Sequence, residues 1–190
     1  MIDNYFDSET FSNIDFTKEQ IKKGEYDNCT FENCNFENVH ASNIQFVECE
    51  FVNCNFSNTI VKATAFKDVF FDHCKILGVK FNECDSFLLQ LRFYSCQLDF
   101  SSFYQLKMTK TLFVNCSLVD VDFSETNLQQ SRFDSCNLKN AIFDETNLEK
   151  VDFSTALNLT LKPSENRIKG AIFSKANIVG LLREYQIEIK

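Results

Sequence analysis

The feature that most constrains the fold is an apolar residue at every fifth position from Phe93 to Phe153. Helices repeat an apolar face about every 3.6 residues and strands about every 2, so neither keeps these side chains on one side. Two positions before most of them lies a smaller residue, such as Cys96, Thr126 or Ala141. The repeating unit therefore has five residues, with a small and a large side chain inward and three mostly polar side chains outward.

The same step accounts for most phenylalanines. Of the 22, 19 fall on the large inward position, which leaves Phe70, Phe87 and Phe100 outside. Rings repeated at the strand spacing of about 4.8 Å are expected to stack through the core. Phe70 and Phe100 are candidates for an exposed contact surface. The predicted core positions are Phe31, Phe36, Phe46, Phe51, Phe56, Phe66, Phe71, Phe81, Phe93, Phe103, Phe113, Phe123, Phe133, Phe143 and Phe153.

In these positions the chain resembles the pentapeptide-repeat family, whose repeat pairs Ala, Cys, Val or Thr with Leu or Phe two positions later. The resemblance implies an all-β fold: a right-handed quadrilateral β-helix with four pentapeptides per coil, a solenoid in which each coil contacts mainly its neighbours. Residues ten apart then lie on opposite faces. After Phe93, Phe should occupy two opposing faces and Leu the other two. Roughly eight coils would form a rod of about 40 Å.

One domain is expected over residues 1–190. Its predicted parts are a degenerate N-terminal coil at 1–28, a first repeat block at 29–83, a register shift at 84–85, a second block at 86–173 with a degenerate coil at 154–172, and a C-terminal module at 174–190. The register shift is needed because Phe81 and Phe93 are two residues out of step, and it makes Ser86 and Leu88 the next inward pair. Residues 17–23 suit either a degenerate coil or a short capping helix.

The C-terminal module changes character. After Ser174, which can cap a first helical turn, apolar residues recur at helical spacing. Residues 186–190 then alternate between apolar and polar side chains as in a strand. This ending is similar to that of the Qnr-type and mycobacterial fluoroquinolone-resistance pentapeptide proteins, in which a helix and strand form a head-to-head dimer. The resemblance implies a homodimer through the C-terminus. Its interface residues would be Leu181, Leu182, Tyr185, Ile187 and Ile189.

The proteins of that branch imitate duplex DNA and bind type II topoisomerases, so the resemblance implies DNA gyrase or topoisomerase IV as the partner. Qnr-type proteins need two projecting loops for quinolone protection, and this chain has no insertion of that length; the mycobacterial type manages without them. Charge also limits simple mimicry. The net charge is −8, whereas about 40 Å of duplex carries about 24 negative charges.

The charge is concentrated near the N-terminus. Residues 1–50 hold 11 Asp and Glu against 3 Lys, and residues 51–190 hold 16 charges of each sign. This distribution disfavours direct binding to nucleic acid and suits a basic partner. Two functions are therefore expected as alternatives: a rod that occupies the DNA site of a type II topoisomerase, or a scaffold rod with another protein partner.

Catalysis, cofactors and metals are not expected. All nine cysteines fall on the small inward position, where a thiol acts as a compact apolar group, and their spacings do not match zinc motifs. His40 and His73 fall on outward positions, and the chain has no glycine-rich phosphate loop. A chain with no long apolar run and no apolar leader is expected to be cytoplasmic, without membrane contact.

Overall fold

The structure is a computed structural model that describes residues 4–188. In this range short strands recur along the chain, since each extended stretch ends at a corner after three or four residues. The strands are β1 (Tyr5–Asp7), β2 (Thr10–Ser12), β3 (Glu25–Asp27), β4 (Thr30–Glu32), β5 (Gln45–Val47), β6 (Glu50–Val52), β7 (Ala65–Lys67), β8 (Val69–Asp72), β9 (Leu91–Tyr94), β10 (Leu112–Val114) and β11 (Arg132–Asp134). β1, β3, β5 and β7 form one parallel sheet, and the remaining seven strands form a second in chain order.

Strand pairing joins residues that are one coil apart. Phe11 pairs with Phe31, and the step between them shows that one coil contains four five-residue units. Bridges between single residues continue this step on other sides of the molecule, for example between Asn35 and Asn55. The predicted fold class, an all-β pentapeptide-repeat solenoid, is confirmed.

The coils stack into four faces, each defined here by its large inward residues. The first face contains Phe6, Tyr26, Phe46, Phe66, Met108, Leu128, Leu148 and Ile168. The second contains Phe11, Phe31, Phe51, Phe71, Phe93, Phe113, Phe133, Phe153 and Phe173. The third contains Phe16, Phe36, Phe56, Ile76, Leu98, Leu118 and Leu138. The fourth contains Ile21, Ala41, Val61, Phe81, Phe103, Phe123 and Phe143.

Stacked aromatic rings fill the core. On the second face the rings stack from Phe11 to Phe173 in eight steps, with centroids 4.8–5.6 Å apart. The 15 predicted core phenylalanines are all buried. After Phe93, Phe occupies the second and fourth faces, as predicted, and the other two faces carry the predicted Leu except at Met108 and Ile168. Rings of the two opposed ladders meet edge to face, for example Phe93 and Phe103 at 6.0 Å.

The corners between faces have left-handed backbone. Among the described residues 27 non-glycine residues have positive φ, and ten of these are Asn. Asn is favoured there because its short polar side chain tolerates this region better than other residues do. Phe100 and Leu88 occupy the same kind of corner, with φ of 63° and 57°. Bulky residues rarely adopt this conformation, so both side chains are held outward at some conformational cost.

The register changes on the first face. Asp85 still pairs with Ala65, the residue one regular coil before it, whereas Leu91 pairs with Val69, which lies further back than one regular coil. The two additional residues therefore lie between Asp85 and Leu91, C-terminal to the expected position at 84–85. The prediction that Ser86 and Leu88 form an inward pair is wrong, because both are exposed. The side chain in this segment that packs against the core is instead Leu89, which is half-buried.

The two ends differ from the regular coils. Residues 17–23 form no helix, and their first residues are a turn in which Asp15 accepts hydrogen bonds from Thr17 and Lys18. The C-terminal end has 3-10 helices at Pro163–Glu165 and Arg183–Tyr185 and one α-helical turn, α1 (Ile178–Leu181).

The strand expected over residues 186–190 is not formed by its described part, which ends at Glu188. Instead, Gln186 follows the last 3-10 helix with left-handed backbone, at a φ of 50°. The short helices and this turn leave no extended run for pairing. Among the described residues no helix is long and apolar enough to cross a membrane.

Candidate interaction surfaces

The interior carries thiols in positions that suit packing. Eight of the nine cysteines are buried and Cys84 is half-buried. The Cys49 thiol donates to the Tyr26 carbonyl oxygen at 3.2 Å, and burial raises the pKa of Cys49 to about 12. A thiol with so high a pKa is a poor nucleophile. Within residues 4–188 no group of three or more His, Cys, Asp and Glu is placed to hold a metal ion.

The histidines lie outside. His40 and His73 are exposed, and His73 Nδ1 is 2.8 Å from an oxygen of Asp72. The next residue, Cys74, is buried on the other side of the wall. Because the wall separates them, His73 and Cys74 do not form a thiolate and imidazole pair.

The residues predicted for a dimer interface lie in the C-terminal cap, residues 174–188, and they differ in exposure. Leu181 packs into the core of its own chain and is 8% exposed, so it is covered before any second copy arrives. Leu182 is half-buried, and Tyr185 and Ile187 are 60% and 55% exposed. Ile189 lies outside the described residues. The described apolar surface of the cap is completed by side chains that the sequence prediction did not include, namely Ile178 and Val179.

Phe70 and Phe100 were predicted as exposed aromatic residues, and the structure distinguishes them. Phe100 is 65% exposed on the third face. Phe70 is half-buried, and its ring is covered by the Arg92 guanidinium, 5.7 Å from the ring centroid, and by the edge of Tyr94 at 5.1 Å. The prediction of exposure is therefore wrong for Phe70, because cation–π and edge contacts cover its ring.

A groove beside the register change was not predicted. Residues 86–90, here called the bulge, hold Phe87 and Leu88 outward at 67% and 65% exposure. Next to them lies an open groove of about 1070 Å³, whose other lining residues include Lys67, Lys107 and Lys110. The two-residue slip marked the place, but the sequence did not show which side chains would project.

Charge is distributed unevenly along the first face. Before and at the bulge this face carries six carboxylates and one lysine. Beyond it the face carries five bases and one carboxylate. The acidic residues are Asp7, Glu25, Asp27, Glu48, Asp68 and Asp85, here called the acidic segment. The basic residues are Lys107, Lys110, Lys150, Arg167 and Lys169, here called the basic segment.

The fourth face has the opposite order. Up to residue 83 this face carries four lysines, Lys22, Lys23, Lys62 and Lys80, against Glu19 and Glu83, and its later coils carry carboxylates with one base, Lys162. The carboxylates of the later coils are Asp122, Glu125, Asp144, Glu145 and Glu165. The acidic regions of the two halves of the rod therefore point in different directions, and no single face is acidic over its whole described length.

Comparison with known structures supports the same fold. Two structures of trypsin-treated variants of QnrB1, described as a plasmid-mediated fluoroquinolone resistance protein, each align with 98% of this chain at a TM-score of 0.56 and 14% identity. The alignments cover 92% and 100% of the QnrB1 chains. At this level of identity the likeness is one of fold. None of the curated proteins matches the chain.

A family model gives the assignment. The model described as a pentapeptide repeat region matches residues 24–87 and 78–153. These matches span most of the chain and include both blocks of stacked phenylalanines on either side of the bulge. The large inward residues of the four faces that fall within these ranges are all buried. The chain therefore belongs to the pentapeptide-repeat family.

Proposed function

We propose that the chain is a non-catalytic binding rod that occupies the DNA site of a type II topoisomerase, DNA gyrase or topoisomerase IV, in the cytoplasm, and alters the action of fluoroquinolones there. The observation that carries the proposal is the end-to-end likeness of fold to QnrB1, described as a fluoroquinolone resistance protein. A core filled by stacked rings supports a role for the outer surface.

The acidic segment is the part of the surface best suited to a DNA site. It carries six carboxylates over five coils, or about 20 Å. Duplex DNA of that length carries about 12 phosphates, of which about half face one side. With Lys67 on the same coils, this part of the first face therefore comes close to one side of a short duplex in charge density, although the whole molecule does not. A basic DNA-binding groove would attract this half of the rod first.

The test is a gyrase assay with purified full-length protein. We expect micromolar protein to inhibit supercoiling or to reduce the cleavage complexes that a fluoroquinolone stabilises. The variant Glu25→Gln/Glu48→Gln should weaken this effect, because it removes charge from the acidic segment. Glu125→Gln/Glu145→Gln on the fourth face is the matched control and should retain it. No effect of the unaltered protein on either reaction would contradict the proposal.

A scaffold function is the second candidate. It is favoured by the alternation of acidic and basic segments along the first and fourth faces, since a continuous acidic stripe would suit DNA mimicry better. Affinity purification with the full chain as bait distinguishes the two. Recovery of a topoisomerase favours the first function, and reproducible recovery of another protein without a topoisomerase favours the second.

The cap is proposed to join two copies of the chain through its exposed apolar residues, with Tyr185 and Ile187 at the centre. Ile187→Asp should break this contact, because a carboxylate would be desolvated in it. Leu181→Asp should instead disrupt the cap itself, because Leu181 is buried in its own chain. Sedimentation of the unaltered protein as a monomer at micromolar concentration would contradict a dimer of this kind.

A further inference from the structure

We propose that the first face binds a second copy of the chain side by side and antiparallel, with the two bulges in contact at a two-fold axis. This contact is separate from the one proposed for the cap and does not depend on the partner proposed above. It rests on three features of the first face: its exposed apolar centre, the groove beside that centre, and the opposite charges on either side.

The apolar centre is the bulge. Phe87 and Leu88 are each about two-thirds exposed and are adjacent. The Phe87 backbone N–H donates a hydrogen bond to Asp85 Oδ1 at 2.9 Å. This hydrogen bond fixes the start of the bulge to Asp85, the last residue of the acidic segment. Two neighbouring large apolar side chains held outward on a polar wall are typical of a contact site.

The groove beside the bulge provides a place for an apolar group. It lies between the bulge and the coils before and after it, with Val47 on one side and Leu112 on the other. A two-fold axis at the bulge places the Phe87 ring of each copy next to the groove of the other. In such an isologous contact the same protrusion and the same recess are used twice.

The distribution of charge along the first face determines the relative orientation of the two copies. A two-fold axis across the rod at the bulge places coils at equal distances before and after it opposite each other. Lys110 lies one coil after the bulge and Asp68 one coil before it, and Lys169 and Asp7 each lie four coils away. Antiparallel copies thus oppose basic to acidic segments. A parallel arrangement would oppose like charges, which is unfavourable.

Several of the charges are available for a partner. Lys107, Lys110, Lys150 and Lys169 are exposed, and within residues 4–188 the structure shows no ion pair for any of them. Two other charges of this face already have ion-pair partners: Asp68 lies 2.9 Å from Arg92, and Arg167 lies 2.8 Å from Glu149. The unpaired lysines are therefore the main source of attraction.

The size of the face is sufficient for a reversible dimer. A rod of about 40 Å with a face about 16 Å wide, from five residues at about 3.3 Å each, offers on the order of 600 Å² per copy. That is the lower end of the range for specific interfaces. We therefore expect association at micromolar concentration, and weaker association when salt screens the exposed charges.

The fourth face provides the comparison. Its order of charge is also reversed between the two halves, but it lacks an exposed aromatic residue at its centre, where Lys80, Asn82 and Glu83 lie. The charge distribution alone would therefore allow either the first or the fourth face to bind a second copy. The bulge and its groove select the first.

Sedimentation equilibrium of the full chain tests the proposal, carried out both unaltered and with Ile187→Asp to remove the cap contact. We expect the Ile187→Asp protein to form dimers at low salt and to dissociate as salt is raised. In this background Phe87→Ser should weaken association by at least about tenfold, as expected for a central aromatic contact. Phe100→Ser is the matched control: Phe100 is equally exposed but lies on the third face, so its loss should change nothing.

Charge reversal tests the orientation. A chain with Lys110→Glu and Lys169→Glu has a first face that is mainly acidic, and a chain with Asp7→Lys and Glu48→Lys has one that is mainly basic. Each should be a monomer alone, and an equal mixture should form a dimer. The proposal is overturned if the Ile187→Asp protein is monomeric at all salt concentrations, if Phe100→Ser weakens association as much as Phe87→Ser, or if the mixture remains monomeric.

Discussion

At the residue scale, the decisive property is which side of the wall a side chain occupies. Phe113 is fully buried and stacks on Phe93 and Phe133 with centroids 5.2 and 4.8 Å away. Phe100, which lies in the coil before it, occupies a left-handed corner and points outward. The same residue type therefore has opposite roles, and the five-residue count distinguishes them.

Phe113→Ala should lower the free energy of unfolding by about 3–5 kcal/mol, because it removes a ring from the middle of the second-face ladder and leaves a cavity. Phe100→Ala should change it by no more than about 0.5 kcal/mol. Denaturant titration of both variants measures the difference. Equal losses would show that the ladder does not determine stability.

The buried thiols predict the response to alkaline pH. Burial raises the pKa of Cys49 to about 12, above the value of about 8.5 for a free thiol. The unfolded chain therefore loses its proton first, and stability that is complete below about pH 8.5 should be lost as pH rises toward 12. Melting temperatures measured from pH 7 to 11 should fall accordingly, whereas a melting temperature that is constant over this range would contradict the prediction.

The same burial predicts thiol reactivity. In the native protein at pH 8, at most one thiol, that of the half-buried Cys84, should react with an aromatic disulfide reagent. After unfolding all nine should react. Rapid modification of several thiols in the native protein would show that the wall opens readily.

At the element scale, the coil is the structural unit that could be predicted most completely from the sequence. The small and large inward positions, the alternation of Phe and Leu after Phe93, and the need for two extra residues were all visible, because each depends only on counting. The conformation of the bulge was not, since Ser86, Leu88 and Leu89 are each compatible with an inward position by spacing alone. The prediction of the cap was also incomplete. Leu181 and Ile187 have similar apolar character, and only the packed structure shows that Leu181 is buried and Ile187 exposed.

Deletion tests the position of the bulge. Removal of Ser86 and Phe87 leaves Leu88 directly after Asp85, which is the inward position of a regular coil. We expect this variant to fold with an unchanged or higher melting temperature. Removal of Cys84 and Asp85 is the control, and it should be destabilising because it removes the residue that bridges to Ala65. The reverse order of stability would place the additional residues at 84–85.

At the scale of the whole molecule, the surface of a filled rod is where function is proposed to lie. The interior is occupied by side chains, and the charges of the first face are separated by the bulge into the acidic segment and the basic segment, whereas the fourth face has the reverse order. The acidic segment suits the entrance of a DNA-binding groove, whereas the basic segment suits contact with another acidic surface, including that of a second copy. The acidic and basic segments of the first face can therefore bind different surfaces, and a second copy of the chain and a DNA-binding groove would compete for the acidic segment.

Competition with DNA for gyrase is the most direct measurement of the proposed function. Binding of the full-length protein to purified gyrase would be measured while the concentration of a short duplex is increased. We expect micromolar binding that the duplex displaces, and that Glu25→Gln/Glu48→Gln weakens while Glu125→Gln/Glu145→Gln does not. Absence of binding, or binding that is indifferent to the duplex, would contradict a rod that occupies the DNA site.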